Sequence, residues 1–407
     1  MSDAPVATIG AGPAGLIAAE ILSAAGKRVV VYERMPSVAR KFLMAGRGGL
    51  NLTHSEDLER FLTRYRDAAP QLQPMLDAFM PSDLIAWANG LGAETFIGSS
   101  GRIFPKVMKA SPLLRAWLTR LAEQGVEIRT RATWLGWAEN GELRFNENGE
   151  HATLQPAATL FALGGASWPR LGADGSWRAT FEARGVEVTA FEPSNVGYTV
   201  DWSEHFRTRF AGQALKNIAV RHKSRTSLGE VMITDYGIEG GAIYALTSEL
   251  RATAPTGIRI DLRPDLRLQH VIEKLGKAKR GDTLSSTLRK TLGLSPAAVA
   301  LIYENGPPPR DPERLTELIK SIPITLKAPH GIERAISTAG GVSWNAVDEN
   351  LQLRAIPNAY VAGEMLDWEA PTGGYLLQAC FATGAWAARA MLNRQSVPQG
   401  SAAPCRP

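Results

Sequence analysis

Three glycine-rich segments carry the residue types that could bind a large anionic ligand. The first is GAGPAG, which follows the apolar run VATI and precedes a stretch rich in Ala, Leu and Ile. Its spacing, G-x-G-x-x-G, permits a tight turn and lets a pyrophosphate approach the N-terminus of a helix. The candidate contacts in this turn are Gly10, Gly12, Pro13, Ala14 and Gly15.

An acid follows this turn at the distance that a dinucleotide site requires. Glu33 closes the β-branched run RVVVYE, 18 residues after Gly15. A carboxylate at this point of a βαβ unit accepts hydrogen bonds from an adenosine ribose. The order of strand, glycine turn, helix, strand and acid therefore predicts a dinucleotide site. Taken alone, Glu33 could also be a solvated acid at the end of a strand.

The second segment, RKFLMAGRGGLNLTH, combines glycines with cations. It begins with Arg40 and Lys41 and continues with Gly46, Arg47, Gly48 and Gly49. This composition is typical of a backbone that lies against a flat or anionic ligand. A surface turn is the alternative interpretation.

The third segment, AGEMLDWEAPTGGYLLQACFATG, begins about 350 residues after the first. It places Glu364, Asp367 and Glu369 beside Pro371 and the pair Gly373 and Gly374. Its resemblance to the first segment raises the question of whether one ligand needs both.

The composition excludes several other classes of protein. The chain has 407 residues, 44% of them hydrophobic and 21% charged, which suits two or three globular domains. Its two cysteines do not suit a disulfide framework, and its N-terminus lacks the features of a signal peptide. No apolar run reaches the ~18 residues of a membrane span, so we expect a cytoplasmic protein. The six histidines show no H-x-x-x-H spacing, and G-x-S-x-G is absent, so neither a metal site nor a hydrolase is predicted.

The charge of the chain is uneven. Of a formal net charge of +5, the segment from Arg263 to Lys290 alone contains eight Lys or Arg against three acids. One interpretation is a solvated helical face. The other is a surface for an anionic partner, in which residues 263–290 contact RNA.

The pattern of elements predicts one α/β domain that is interrupted twice. We assign residues 1–190 and 335–393 to a Rossmann-type domain, and residues 191–264 and 321–334 to a β-rich, barrel-like domain. Residues 265–320 form a helical domain, and residues 394–407 a disordered tail. Within the first domain we expect a helix over 14–25, a loop over GSSGRIFPKVMKAS and a β-meander over 125–149.

The order of motifs resembles the BaiN/YhiN-like family of FAD-dependent oxidoreductases, also called aminoacetone-oxidase-like flavoproteins. The resemblance covers residues 5–393. It is carried by GAGPAG, RKFLMAGRGGLNLTH, FALGGASWPRLGADGSW, ITDYGIEGGAIYALTSE, TAGGVSWNAVD and AGEMLDWEAPTGGY. It implies a FAD-binding Rossmann-type domain with inserted barrel-like and helical domains.

The resemblance also explains why the chain has two distant glycine segments, because FAD is long and its two ends need two sites. It implies that Gly363 lets the backbone approach the cofactor and that Glu364 or Asp367 binds the ribityl chain. Gly373, Gly374 and Tyr375 would begin a helix whose N–H groups face the flavin pyrimidine. The remaining candidate contacts are Arg34, Lys41, Gly48, Gly49, Asn51, Trp134, Ala162 and Gly164.

Some assignments stay open at this stage. Trp134 would offer its backbone to the adenine, or it is a core residue. His54 and Tyr375 are the candidate catalytic residues, although each could have a purely structural role. The chain departs from the family pattern where Leu50 replaces a common cysteine, where Leu376 replaces a common asparagine, and in Gly237–Gly241.

The expected activity is a FAD-dependent reduction of an activated C=C bond, with NADH or NADPH as a transient electron donor. The substrate would be a small molecule or an RNA base, and no membrane partner is expected. Two alternatives remain: an oxidase of a small amine, and an RNA-binding flavoprotein that reduces a uracil base in ribosomal RNA.

Overall fold

The computed structural model describes residues 4–277 and 281–395. The chain divides into two compact units, residues 1–192 with 338–407 (unit 1) and residues 193–337 (unit 2). The final helix reaches Gln395, so the first two residues of the predicted tail are helical. Residues 396–407 of that tail lie outside the described residues.

The N-terminal part of unit 1 contains eleven strands and seven α-helices among the described residues. They are β1 (Val6–Ile9), α1 (Pro13–Ala24), β2 (Val29–Glu33), α2 (Arg40–Ala45), β3 (Thr53–His54), α3 (Leu58–Leu62), α4 (Ala69–Ala78), α5 (Pro81–Gly90), β4 (Thr95–Ile97), β5 (Arg102–Pro105), α6 (Ala110–Glu123), β6 (Glu127–Thr130), β7 (Ala132–Trp137), β8 (Leu143–Glu147), β9 (Glu150–Leu154), β10 (Ala158–Phe161), α7 (Arg178–Glu182) and β11 (Val188–Ser194).

Unit 2 follows, and the chain then returns to unit 1. The elements of unit 2 are β12 (Tyr198–Thr199), α8 (Glu204–Phe210), β13 (Ala214–His222), β14 (Arg225–Ile233), β15 (Gly237–Glu239), α9 (Gly241–Tyr244), α10 (Thr247–Arg251), β16 (Thr256–Asp261), α11 (Leu268–Gly276), α12 (Leu284–Leu292), α13 (Pro296–Glu304), α14 (Pro312–Lys320) and β17 (Ile322–Leu326). The returning elements are β18 (Ser337–Val342), β19 (Ala359–Val361) and α15 (Tyr375–Gln395).

A parallel sheet forms the centre of unit 1, in the strand order β19-β10-β1-β2-β6. All four pairs of neighbouring strands are parallel. The central strands are mostly apolar and are buried except for Glu33 at the end of β2, as expected where helices cover both faces of a sheet. Helix α1 packs along α15, which brings the N-terminal and C-terminal glycine segments to the same region of unit 1.

Two details of the sequence prediction for unit 1 were wrong. The expected loop GSSGRIFPKVMKAS contains strand β5, which pairs with both β3 and β4. The expected meander begins only at Ala132, because β6 pairs in parallel with β2 and so extends the central sheet. The sequence shows the turns around β5 and β6, but it does not show which distant strands they pair with.

Unit 2 is built on a six-stranded sheet in the order β12-β15-β14-β13-β16-β17, and its registered pairs are antiparallel. Helices α11 to α14 belong to the same unit and share its apolar core, which includes Val220, Ile260, Leu288 and Ile319. Helix α12 ends at Gly293, whose left-handed conformation stops the helix where the sequence predicted a break.

Within residues 4–277 and 281–395, no helix is long and apolar enough to cross a bilayer.

Candidate cofactor site

The first glycine turn connects β1 to α1 and is packed too closely for side chains at two of its three glycines. A Cβ atom on Gly10 would lie 2.3 Å from the carbonyl oxygen of Ala162, and one on Gly15 would lie 2.0 Å from the oxygen of Gly10. The turn is held by the Gly10 N–H, which donates to the oxygen of Tyr32 at 2.8 Å.

Gly12 differs from its neighbours because a Cβ atom there would meet no protein atom within 4 Å. It is the N-cap of α1, and no side chain caps this end of the helix. The turn therefore combines free space with the N–H groups of a twelve-residue helix, and these groups favour an anion.

Glu33 is anchored to this turn. Its Oε2 accepts a hydrogen bond from the N–H of Ala11 at 3.1 Å, and its Oε1 accepts one from the N–H of Met35 at 2.8 Å. Burial raises the pKa of Glu33 above its ordinary value, although both backbone hydrogen bonds oppose that change. The carboxylate at the end of β2 therefore lies beside the glycine turn, with few donors to offset its desolvation.

Lys41 and Glu364 join the second and third glycine segments. Lys41 Nζ donates to Glu364 Oε2 at 2.6 Å and to Ser167 Oγ at 2.9 Å. Glu364 Oε1 accepts a hydrogen bond from the N–H of Thr338 at 3.0 Å. Both predicted contacts are thus held in place by the protein itself.

Close backbone packing also fixes the third segment. A Cβ atom on Gly363 would lie 2.9 Å from Cβ of Ala14, and one on Gly374 would lie within 2.7 Å of the Thr53 backbone. Gly374 has a φ of 94°, which favours glycine. Helix α15 starts at the next residue, Tyr375. Gly363 therefore lies against α1 and Gly374 against β3, whereas a Cβ atom on Gly373 would meet the ring of Tyr375. Asp367 contacts Val342 and Trp344 through its backbone N–H and oxygen.

The loop between α2 and β3 has one open glycine and two covered ones. A Cβ atom on Gly48 would meet nothing within 4 Å, whereas one on Gly46 would lie 2.5 Å from Cβ of Ala110 and one on Gly49 2.5 Å from the Met108 methyl group. Asn51 Oδ1 is buried and has no hydrogen-bond partner in the described chain. The loop thus presents space and an unpaired acceptor.

The end of β10 contributes Ala162 and Gly164. The N–H of Ala162 donates to the oxygen of Ile9, and the oxygen of Gly164 accepts from the Trp177 indole at 2.9 Å. Trp134 lies on β7, and its ring packs against Trp137 and Phe161 at centroid distances of 4.8 and 4.9 Å. The ring of Trp134 therefore packs in the core, which leaves its backbone and its indole N–H for a cofactor contact.

Other buried polar atoms near these segments are also unpaired. Among the described residues, the Nε atoms of Arg34 and Arg40 and the indole Nε1 of Trp134 are buried without a hydrogen-bond partner. Arg34 still forms an ion pair with Asp174, at 2.8 Å. Because buried polar groups are normally satisfied, these atoms indicate contacts with a ligand or with water.

The structure brings the two candidate catalytic residues together. The rings of His54 and Tyr375 stack with centroids 5.6 Å apart. The Tyr375 hydroxyl donates to Glu56 Oε1 at 2.7 Å, and burial together with this carboxylate raises the pKa of Tyr375. The backbone N–H of Glu56 donates to His54 Nδ1, with 3.1 Å between the two nitrogens. Because Nδ1 accepts, the proton of the neutral ring is on Nε2, which donates to the Ser100 oxygen at 3.0 Å.

Sequence reasoning missed Glu56, which organises this pair. Its carboxylate accepts from Arg64 Nε at 2.9 Å and from Arg64 Nη2 at 2.6 Å, and its side chain is 7% exposed. Burial raises the pKa of Glu56, but the hydrogen bonds from Arg64 and Tyr375 outweigh burial and leave it below its ordinary value. The local sequence feature that could have indicated Glu56 is Arg60, four residues later, with which it forms an ion pair.

These observations fit a long dinucleotide. Gly12 and Gly48 leave free space at two separate points, Glu33 lies beside the first, and unpaired polar atoms lie in both segments. A single extended molecule that carries a pyrophosphate satisfies this arrangement.

A comparison with protein-family models gives a match over residues 4–390 to the family described as HI0933-like protein Rossmann domain. The chain belongs to the HI0933-like family. Its members include the BaiN/YhiN proteins, so the resemblance drawn from the motifs is confirmed.

Two curated proteins resemble this HI0933-like chain over nearly its full length. One is the 3-dehydro-bile acid delta(4,6)-reductase of Clostridium scindens, which is 26% identical over 96% of this chain and 99% of its own length. The other is the ribosomal RNA dihydrouridine synthase of Escherichia coli, which is 24% identical over 93% of this chain and 95% of its own length.

Solved structures show the same fold as this HI0933-like protein. A 3-ketosteroid delta1-dehydrogenase from Sterolibacterium denitrificans matches with a TM-score of 0.53 and 12% identity, over 96% of this chain and 99% of that one. A flavocytochrome c3 fumarate reductase matches with a TM-score of 0.51 and 14% identity, over 96% and 78% of the two chains. At these identities the likeness concerns the fold alone.

The protein is a FAD-dependent oxidoreductase with an α/β fold that contains a Rossmann-type FAD-binding domain. FAD is therefore its cofactor, as the resemblance to the flavoprotein family implied, and the glycine turn predicted a dinucleotide. In the described ranges, no three His, Cys, Asp or Glu side chains form a cluster that could hold a metal ion.

Proposed function

We propose that this flavoprotein reduces a C=C bond conjugated to a carbonyl group in a small molecule, with NADH or NADPH as the electron donor. The observation that carries the proposal is the full-length likeness to a relative named as a delta(4,6)-reductase. The second relative is named for the formation of dihydrouridine, a nucleoside in whose base the ring C=C bond is reduced. Both names favour reduction over the oxidation of an amine.

The chain's own residues have separate tasks in this proposal. The free space at Gly12 and the N-terminus of α1 receive the pyrophosphate, and Glu33 accepts from the ribose hydroxyls. Asn51, Gly48 and Gly49 line the flavin half, and the start of α15 directs its N–H groups there. When it is bound, FAD supplies hydride transfer at its N5 atom.

The Lys41–Glu364 ion pair supports the same site by joining two segments that are distant in the chain. It links α2 to the turn that follows β19 and is only partly exposed. Because Glu364 is bonded to both Lys41 and Thr338, its carboxylate is fixed rather than free to rotate. We propose that the pair orients the two segments around the centre of FAD.

We infer that His54 and Tyr375 position the flavin loop rather than transfer protons. The Tyr375 hydroxyl is buried and bonded to Glu56, and both ring nitrogens of His54 are bonded to backbone groups. Proton transfer from either residue would first require one of these hydrogen bonds to break. Their contribution is therefore to hold the N-terminus of α15 and the loop around Ser100 in place.

The direct test is the anaerobic reduction of the purified holoprotein by NADH and by NADPH, with a subsequent screen of acceptors. A cyclic enone should reoxidise the flavin with formation of the saturated ketone. Reoxidation by O₂ with turnover of a small amine, and none by any enone, would contradict the proposal and favour an amine oxidase.

A second candidate function is the reduction of a uracil base in RNA, and the basic segment 263–290 favours it. Arg267, Lys277 and Arg289 in this segment are exposed. Two other cations are neutralised locally, since Arg263 pairs with Asp265 at 2.7 Å and Lys290 with Asp282 at 2.9 Å. Lys279 and Arg280 lie outside the described residues.

A further inference from the structure

A cleft in unit 2 lies between three helices, and none of the residues that line it is among the cofactor contacts. Helices α8, α12 and α13 form its walls, and its volume is about 500 Å³. Clefts that bind small organic ligands have volumes of roughly 300–1,000 Å³. The chemistry of the walls therefore indicates which class of ligand this cleft takes.

Each helix presents to the cleft a pair of residues four positions apart. Such residues share one face of a helix. The pairs are His205 and Arg209 on α8, Ser285 and Arg289 on α12, and Val299 and Tyr303 on α13. Arginines from two different helices therefore line the same space.

The three helices are held together by hydrogen bonds and by a shared apolar core. Glu304, at the end of α13, accepts hydrogen bonds from the N–H of Ser203 at 2.9 Å and from its hydroxyl at 2.6 Å. Ser203 is the N-cap of α8. Phe206 of α8, Leu288 of α12 and Leu301 of α13 belong to the same buried core of unit 2. The cleft is therefore a fixed feature of this unit.

The two arginines of the cleft have no acidic partner among the described residues. Within residues 4–277 and 281–395, neither guanidinium group forms an ion pair or a hydrogen bond. The guanidinium of Arg209 lies 5.9 Å from the centroid of the Phe210 ring, a contact that leaves its N–H groups unused. Glu304 also lines the cleft, but each of its carboxylate oxygens already accepts from Ser203. Arg209 and Arg289 therefore offer donors that suit an anion, a phosphate above all.

The cleft also has an apolar wall. Phe206 and Phe210 of α8 and Val299 and Ala300 of α13 line it. Tyr303 lines it as well and is 41% exposed, so its ring is accessible to a ligand. An accessible aromatic ring beside apolar side chains favours contact with a flat ring system.

We propose that this cleft binds a nucleoside phosphate, with the phosphate on Arg209 and Arg289 and the base against Tyr303. The hydroxyl of Ser285, on the same face of α12 as Arg289, donates to the phosphate or to the ribose. An anion without a ring would leave the apolar wall uncovered, and an uncharged ring would leave both guanidinium groups without an acceptor. A nucleotide satisfies both walls, either as a free molecule or as one residue of an RNA. This inference does not depend on the proposed reductase function.

The test uses the FAD-loaded protein, so that FAD occupies its own site, and measures binding by isothermal titration calorimetry. The probes are AMP, adenosine, inorganic phosphate and a short single-stranded oligoadenylate. The variant is Arg209→Gln with Arg289→Gln. The matched control is Arg207→Gln with Arg267→Gln, which removes two exposed arginines of unit 2 that do not line the cleft.

We expect the wild type to bind AMP more tightly than adenosine or inorganic phosphate, because AMP alone among the three contacts both walls. The double variant should keep its FAD and bind AMP on the order of ten-fold more weakly, because the hydrogen bonds to the ionised phosphate are lost. The control should bind AMP as the wild type does.

A third variant tests the apolar wall separately. Tyr303→Ala should weaken the binding of AMP and of adenosine, and it should leave the binding of inorganic phosphate unchanged, because phosphate has no ring to place against Tyr303.

Comparison of AMP with the oligoadenylate identifies the source of the nucleotide. Tighter binding of the oligoadenylate than of AMP, weakened in the double variant, would assign the cleft to RNA. Equal or weaker binding of the oligoadenylate would assign it to a free nucleotide.

Three results would overturn the inference. The first is equal affinity of the double variant and the wild type for AMP. The second is a wild type that binds neither AMP nor the oligoadenylate. The third is an equal loss of affinity in the control, because binding would then come from the overall positive charge of unit 2 rather than from the cleft.

Discussion

The Lys41 ammonium and the Glu364 carboxylate lie 2.6 Å apart, although 323 residues separate them in the chain. The pair joins the segment after the first βαβ unit to the segment before the last helix. It is partly buried, so each charge depends on the other for most of its compensation.

Removing one partner of this pair should weaken both folding and cofactor binding. We expect Lys41→Met to lower the free energy of unfolding by about 1–3 kcal/mol, because Glu364 would keep a partly buried charge without its cation. Chemical denaturation and the fraction of FAD retained after gel filtration measure the two effects. The control is Lys106→Met, which breaks the exposed Lys106–Glu94 pair and should leave both quantities unchanged. Equal effects of the two substitutions would contradict the structural role given to Lys41.

Gly12 and Gly15 should respond differently to a side chain. Gly12→Val fills space that is free of protein atoms, so the apoprotein should keep its melting temperature and lose affinity for FAD. Gly15→Ala places a methyl group 2.0 Å from the Gly10 oxygen, so the fold itself should be destabilised. Thermal melts with and without added FAD separate the two outcomes. Retention of FAD by Gly12→Val would contradict the assignment of that space to the pyrophosphate.

Glu33 should make the stability of the apoprotein depend on pH. Burial raises the pKa of Glu33, so the folded state favours its protonated form. The stability gained from this protonation is complete below the pKa of the unfolded chain, near 4.5, and is lost as pH rises through the higher folded value. Between pH 4 and 7, the melting temperature of the wild-type apoprotein should therefore fall more with rising pH than that of Glu33→Gln.

The same residue should contribute to FAD affinity. We expect Glu33→Ala to weaken binding by about 1–3 kcal/mol, the order expected for hydrogen bonds to a charged group. Titration of the apoprotein with FAD, followed by flavin fluorescence, measures this loss. An unchanged dissociation constant would mean that Glu33 serves the turn through Ala11 and Met35 alone.

Tyr375→Phe should distinguish positioning from proton transfer. It removes the hydrogen bond to Glu56 and leaves the ring, so we expect enone turnover to remain within about ten-fold of the wild type, less than a lost general acid costs. Because the pKa of Glu56 is lowered, the stability that its partners provide is present at neutral pH and is lost as pH falls. The destabilisation by Tyr375→Phe should accordingly shrink in acid. A hundred-fold or greater loss of turnover with FAD still bound would identify Tyr375 as a proton donor.

The basic segment should affect RNA binding only if RNA is a partner. Reversal of Arg267, Lys277 and Arg289 to Glu changes exposed side chains of unit 2, so the fold and the FAD content should be unchanged. If the segment contacts RNA, wild-type binding to a structured RNA falls steeply with salt, and the variant binds more weakly at low salt. Equal binding by both proteins, or binding by neither, would leave this segment as a solvated helical surface.

The sequence predicted most reliably those features whose physical cause is local. The turn at Gly10, Gly12 and Gly15 and the acid at Glu33 follow from the geometry of a single βαβ unit, and helix breaks such as Gly293 follow from backbone conformation. The family was also recognisable from the order of its motifs.

Features that depend on distant partners were not predictable in this way. The sequence predicts a loop at β5 because the partners of this strand, β3 and β4, lie outside the local pattern. Glu56 was not among the predicted site residues, since its contact with Tyr375 spans 319 residues. The pairing of Lys41 with Glu364 could not be predicted for the same reason, although the sequence predicts each of them as a cofactor contact.

The strand order of the parallel sheet also has a consequence for biosynthesis. Strand β10 pairs with β19 through Thr159 and Ala359, so one edge of β10 has no partner until about 200 further residues have been made. At about 5–20 residues per second, this interval is roughly 10–40 seconds on the ribosome. Unit 2 is encoded entirely within that interval and contains all strands of its own sheet. The nascent chain therefore carries an unpaired sheet edge throughout the synthesis of unit 2. Until β19 has been made, this edge of β10 is exposed to chaperones and to aggregation.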